Sequence, residues 1–217
     1  MSQEPELVGS KPSVGALELQ AAIFVLVWFL AALLARSVGI WQAIGSTAVF
    51  LGLVSLSRPG IDLWGRGRPA RMVPIGLFIG LAMAAVTIFL YDPVTRAVPG
   101  LSADVGRLYE EFRSFGVLGA VVLLPVIVTC EEIVWRGVVF GAAARWMSPG
   151  GAAIVSAVLY TLAHAPYGST AIVLAAFGAG TSWALLRAYS DSLPAVIVAH
   201  AVWDYAVLVL FRLNPGA

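Results

Sequence analysis

The segment Cys130-Glu131-Glu132-Ile133-Val134-Trp135-Arg136-Gly137 sets two adjacent carboxylates and a guanidinium inside an apolar run. No charged residue occurs from Ser114 to Cys130, and none from Gly137 to Ala144. An ionisable group within a membrane segment costs about 2.5–3.5 kcal/mol even on the lenient insertion scale. Three of them in six residues therefore mark both a membrane span and a site within it.

The rest of the chain agrees with a membrane setting. Its 217 residues are 60% hydrophobic and 12% charged, outside the range of a soluble globular domain. A net charge of +1 with scattered arginines gives no nucleic-acid footprint, so no nucleic-acid partner is expected. The single cysteine, Cys130, excludes an intramolecular disulfide and reads as a small buried apolar residue beside the acidic pair. The first sixteen residues lack the basic start of a signal peptide, so the first hydrophobic segment is expected to be a retained anchor.

Uncharged stretches of about 20 residues set the topology. Spans are expected at Leu19–Ala35, Ser37–Ser57, Met72–Tyr91, from Ser114 past Pro125 to Trp146, and at Ala152–His164, Ser169–Leu186 and Leu193–Phe211. Between the third and fourth spans, Leu101, Val105, Leu108, Tyr109 and Phe112 recur at helical spacing among charges, which predicts an amphipathic interfacial helix within Asp92–Arg113. The expected fold is thus all-α, a polytopic transmembrane bundle of about seven spans plus that helix. It forms a single membrane-embedded domain over residues 1–217. Arg58, Arg66, Arg68 and Arg71 after the second span place their loop, and with it the amino terminus, in the cytoplasm.

Few strongly polar side chains fall deep in these spans: Glu131, Glu132 and Arg136 in the fourth, His164 in the fifth, His200 and Asp204 in the seventh. Glu132 and Arg136 are four apart and can pair, which leaves Glu131 without a local partner. His200 and Asp204, also four apart, share a helix face. Such groups escape lipid only in the bundle interior or a wet cavity. A desolvated carboxylate beside an imidazole is a competent general base for water, and a second imidazole with a carboxylic acid can donate to an oxyanion. No nucleophile elbow and no phosphate-cradling glycine loop is present. A water-activating hydrolase fits best. A non-enzymatic scaffold, an immunity factor or a proton-linked carrier using the same polar cavity is the alternative. Tyr160 reads as pocket wall, Trp28 and Trp183 as anchors or packing, and Trp135 and Trp203 as candidate pocket lining.

Glu131-Glu132-x-x-x-Arg136, Tyr160-x-x-x-His164 and His200-x-x-x-Asp204 resemble the three motifs of the CPBP family, which holds CAAX prenyl endopeptidases and bacteriocin-processing and self-immunity proteins. The resemblance covers residues 117–210. It implies an intramembrane glutamic endopeptidase in which Glu131 and His164 activate water, His200 and Asp204 stabilise the oxyanion, and Glu132 and Arg136 hold the site. It also implies a peptide or protein substrate, contact with membrane lipid, and a multi-pass protein of a prokaryotic inner membrane. Two positions depart from the family's pattern: Tyr160 stands where phenylalanine is common, and Asp204 where asparagine is frequent. An aspartate donates only when protonated. No cofactor is expected. Zinc stays open, because Glu131, His164, His200 and Asp204 have the right ligand types but lack the His-Glu-x-x-His spacing. For the protease chemistry, side chains from three spans must meet at one hydrated hollow.

Overall fold

A computed structural model describes residues 14–57, 65, 69–211 and 213. The residues 1–13 and 214–217, and most of the arginine-bearing loop on which the orientation rests, lie outside the described residues. The described part is helical without strands. In chain order it runs α1 (Val14–Val38), α2 (Trp41–Leu56), α3 (Val73–Ala97), α4 (101–115), α5 (Gly116–Ala143), α6 (Pro149–His164), α7 (Thr170–Ser190) and α8 (Leu193–Leu210).

Among the described residues, five helices are long and apolar enough to cross a membrane: α1, α3, α5, α7 and α8. The expected second and fifth spans correspond to α2 and α6. At 16 residues each they are about 24 Å long at 1.5 Å per residue, short of the roughly 30 Å hydrocarbon core.

The third span outruns its expected end at Tyr91. Residues Asp92 to Ala97 do not belong to the amphipathic helix; they extend α3, with Pro93 inside it and Thr95 Oγ1 donating to the Tyr91 carbonyl at 2.9 Å. Charges at Asp92 and Arg96 mark where the apolar surface ends, and the helix outlasts it. The amphipathic helix starts after Gly100 and breaks at Gly116, whose φ of 71° and ψ of 176° turn the chain into α5. It is fastened by carboxylates. Asp104 accepts from Ser169 Oγ at 2.8 Å and from the Ala171 amide at 2.9 Å, capping α7. Glu111 accepts from Tyr167 Oη at 2.5 Å and from the Ile40 amide at 3.0 Å, so α4 bridges the α1–α2 and α6–α7 turns. Burial first, and then that bond to Glu111, push the Tyr167 hydroxyl above the usual phenol range.

Small residues let the helices approach, as expected where lipid gives no hydrophobic drive for association. A Cβ on Gly76 would lie 2.1 Å from the Ala195 carbonyl oxygen, and one on Gly80 would lie 2.6 Å from that of Ala199, so α3 and α8 touch backbone to backbone. Cys130 serves the same end, pressed against Gly52 so closely that a Cβ there would sit 2.6 Å from its own. Gly76→Val should therefore destabilise the protein by about 1–3 kcal/mol through overpacking. Gly141→Ala, with nothing within 4 Å of the added carbon, should be neutral or slightly stabilising. Thermal midpoints in detergent check the pair, and equal midpoints would count against this packing.

Candidate active site

α5 delivers the acidic pair and the arginine. Glu132 Oε1 accepts from Arg136 Nη1 at 3.1 Å, and both side chains are fully buried. From Ile133 to Val139 the helix widens to π geometry, a local feature frequent at functional sites. The pair does not stand alone. Arg136 Nη2 donates to the Gly180 carbonyl on α7 at 2.8 Å, and its guanidinium lies 4.5 Å above the Tyr160 ring centroid. Glu132 Oε1 also accepts from His200 Nδ1 at 2.6 Å. One carboxylate thus joins α5 to α8, and its arginine joins α5 to α7.

Glu131, one residue earlier, faces α6. Tyr160 Oη donates to Glu131 Oε1 at 2.7 Å, and His164 Nε2 lies 3.8 Å from the same oxygen. His164 Nδ1 is 2.7 Å from the Tyr160 carbonyl. A carbonyl only accepts, so Nδ1 carries the proton and, in the neutral ring, Nε2 carries the lone pair. That lone pair accepts from Trp28 Nε1 at 3.1 Å. Two sequence readings change here. Tyr160 is more than wall, since its hydroxyl binds the carboxylate. Trp28, read as anchor or packing, is fully buried and holds the imidazole from α1.

His200 and Asp204 come from α8, with His200 Nε2 3.5 Å from Asp204 Oδ2. Trp183 of α7 stacks on the His200 ring, centroids 3.6 Å apart and planes 20° off parallel, which fixes the ring's tilt. Glu131, His164, His200 and Asp204 all line one cavity of about 960 Å³, so the three helices do converge on one hollow. Trp203 also lines it and donates to Thr87 Oγ1 at 2.9 Å. Trp135 instead packs behind the site, edge-on to Tyr160 and Trp28 at 5.1 and 5.4 Å. Ser156 is structural, its hydroxyl donating to the Trp135 carbonyl at 3.2 Å. Among the described residues, no three His, Cys, Asp or Glu side chains are grouped to hold a metal ion.

A carboxylate and an imidazole on neighbouring helices, with a second imidazole and acid lining the same cavity, have the order and spacing of the resembled motifs. Residues 113–206 match the family model of type II CAAX prenyl endopeptidases, Rce1-like. No curated protein and no solved structure matches the chain. The Rce1-like segment contains Glu131, Glu132, Arg136, Tyr160, His164, His200 and Asp204, and leaves Trp28 outside it. The matched family is one of CAAX-type endopeptidases, and the five long apolar helices among the described residues point to an integral membrane protein.

Proposed function

We propose that the chain is an intramembrane endopeptidase that hydrolyses a peptide bond with water activated by Glu131 and His164. The carrying observation is the placement of Glu131 Oε1 3.8 Å from His164 Nε2 at the edge of the 960 Å³ cavity. That separation is too long for a direct hydrogen bond but leaves room for a water, offset into the cavity, that donates to Glu131 and lies against the His164 ring, whose Nε2 lone pair is taken by Trp28 Nε1–H.

Glu131 takes a proton from the water as its oxygen attacks the scissile carbonyl. The oxyanion that forms is taken by His200 and Asp204, which line the same cavity. Asp204 contributes as a donor in its protonated form, or else holds His200 in place for the same task. Glu131 then passes its proton to the departing amine, which leaves acid and amine products and the carboxylate as it began. The donor sets suit metal-free chemistry: His200 Nδ1 is engaged by Glu132, and both His164 nitrogens by Tyr160 and Trp28. Glu132 and Arg136 keep the site assembled.

The substrate class to offer first is the one in the family's name, a peptide with a prenylated cysteine near its carboxyl end. Purified protein in liposomes should release the residues beyond that cysteine from a farnesylated peptide, detected by mass spectrometry. His164→Ala should reduce kcat/KM by about a hundredfold to ten-thousandfold, the usual contribution of an acid–base group. Undiminished turnover in that variant would overturn the mechanism. Should the peptide stay intact, comparing membrane-protein termini between a deletion strain and its parent would find the natural substrate. No altered terminus there would overturn the protease reading.

A further inference from the structure

We propose that Tyr160 is a positioning residue for Glu131, its hydroxyl pinning Oε1 so that Oε2 is the oxygen that takes the proton from water; this rests on the protease reading above. Tyr160 Oη donates to Oε1 at 2.7 Å. Among the described residues Oε2 receives no hydrogen bond, and Glu131 lines the cavity. The two oxygens of one carboxylate are thereby made inequivalent. One has its acceptor capacity partly filled by a phenol, and the other is open to water.

The surroundings are shaped to keep the phenol there. Its ring is trapped between the Arg136 guanidinium at 4.5 Å and Trp135, edge-on at 5.1 Å. On the third side is Gly180, where a Cβ would come within 2.6 Å of Tyr160 Cδ1. Only a residue without a side chain leaves room for the ring at that point on α7, and the same residue's carbonyl takes Arg136 Nη2 at 2.8 Å. The Tyr160 carbonyl in turn receives His164 Nδ1–H at 2.7 Å. One residue therefore orients both members of the water-activating pair, Glu131 by its hydroxyl and His164 by its backbone. Phenylalanine, common at this position in the resembled family, would supply the second contact and not the first.

The test is Tyr160→Phe, which keeps ring, volume and backbone and removes one oxygen. Against a peptide that the wild-type enzyme cleaves, kcat should fall roughly tenfold to a hundredfold, as for a misplaced catalytic group. KM should stay within error of wild type at temperatures where the variant is folded, and the thermal midpoint should fall by only a few degrees, the cost of one buried hydrogen bond. A second readout needs no turnover: infrared difference spectra of protein labelled with 13C-glutamate should show a carboxylate band that shifts in Tyr160→Phe and is missing in Glu131→Gln. Wild-type kcat in Tyr160→Phe, or a band that does not move, would overturn the proposal while leaving the protease reading intact. An inactive wild-type protein whose band still shifts would sink the protease reading and keep the hydrogen bond.

Discussion

Glu131→Gln leaves the protein folded and lowers kcat/KM by about a hundredfold to ten-thousandfold, the range expected when a general base is lost. Glutamine is the right probe. Its carbonyl oxygen still accepts from the Tyr160 hydroxyl, which in the native site donates to Oε1 at 2.7 Å. Alanine would strand that buried hydroxyl at about 1–3 kcal/mol, mixing a stability defect with a chemical one. An unchanged thermal midpoint with turnover lost, measured on the same purified sample, separates the two. Turnover within threefold of wild type would remove Glu131 from the chemistry, whatever its position.

Much of this site could be read before any coordinates, and the reason is spacing. Four-residue intervals put Glu132 beside Arg136 and His200 beside Asp204 on single helices, and the expense of charge in an apolar run identified the residues worth watching. What could not be read was partnership across helices. Trp28 lies 136 residues from His164 in a span without charge, where an indole looks the same whether it packs or donates. Trp183 stacks on His200 through a face that no periodicity reveals. Tyr160 did leave a signal. It sits one turn before His164, so a phenol on that face was bound to find an acceptor once buried.

The fold divides in the same way. Apolar length found the five long helices, and alternating charge found the amphipathic one. Charge ended the third span too early, at Tyr91, because Asp92 and Arg96 end an apolar surface while the hydrogen bonds of α3 continue to Ala97. The boundaries of the amphipathic helix are glycines with positive φ, Gly100 at 81° and Gly116 at 71°, in a chain with 22 glycines to choose from. The π turn at Ile133–Val139 had no sequence mark either.

Glu132→Ala should be the most damaging single change to stability, and its size follows from what the carboxylate neutralises. Arg136 is fully buried, with Glu132 at 3.1 Å and a neutral carbonyl, that of Gly180, at 2.8 Å. Removing one partner of a buried ion pair strands the other charge and costs about 3–5 kcal/mol. At roughly 2–4 °C per kcal/mol for a chain of this size, the midpoint should drop by about 6–20 °C. Activity should fall as well, even at temperatures where the variant is folded, because His200 Nδ1 loses the acceptor it holds at 2.6 Å and its ring is left with the Trp183 stack and Asp204 Oδ2, 3.5 Å from Nε2. The double variant Glu132→Ala with Arg136→Met discriminates between the two roles. Taking away the stranded cation should restore part of the lost stability, since a buried pair replaced by apolar groups is often neutral, but it returns no acceptor to His200 and so should restore no turnover. A single variant with the wild-type midpoint would mean that the guanidinium reaches water. A double variant that regained activity would mean that His200 needs no carboxylate behind it, and the oxyanion side of the site would then have to be reassigned.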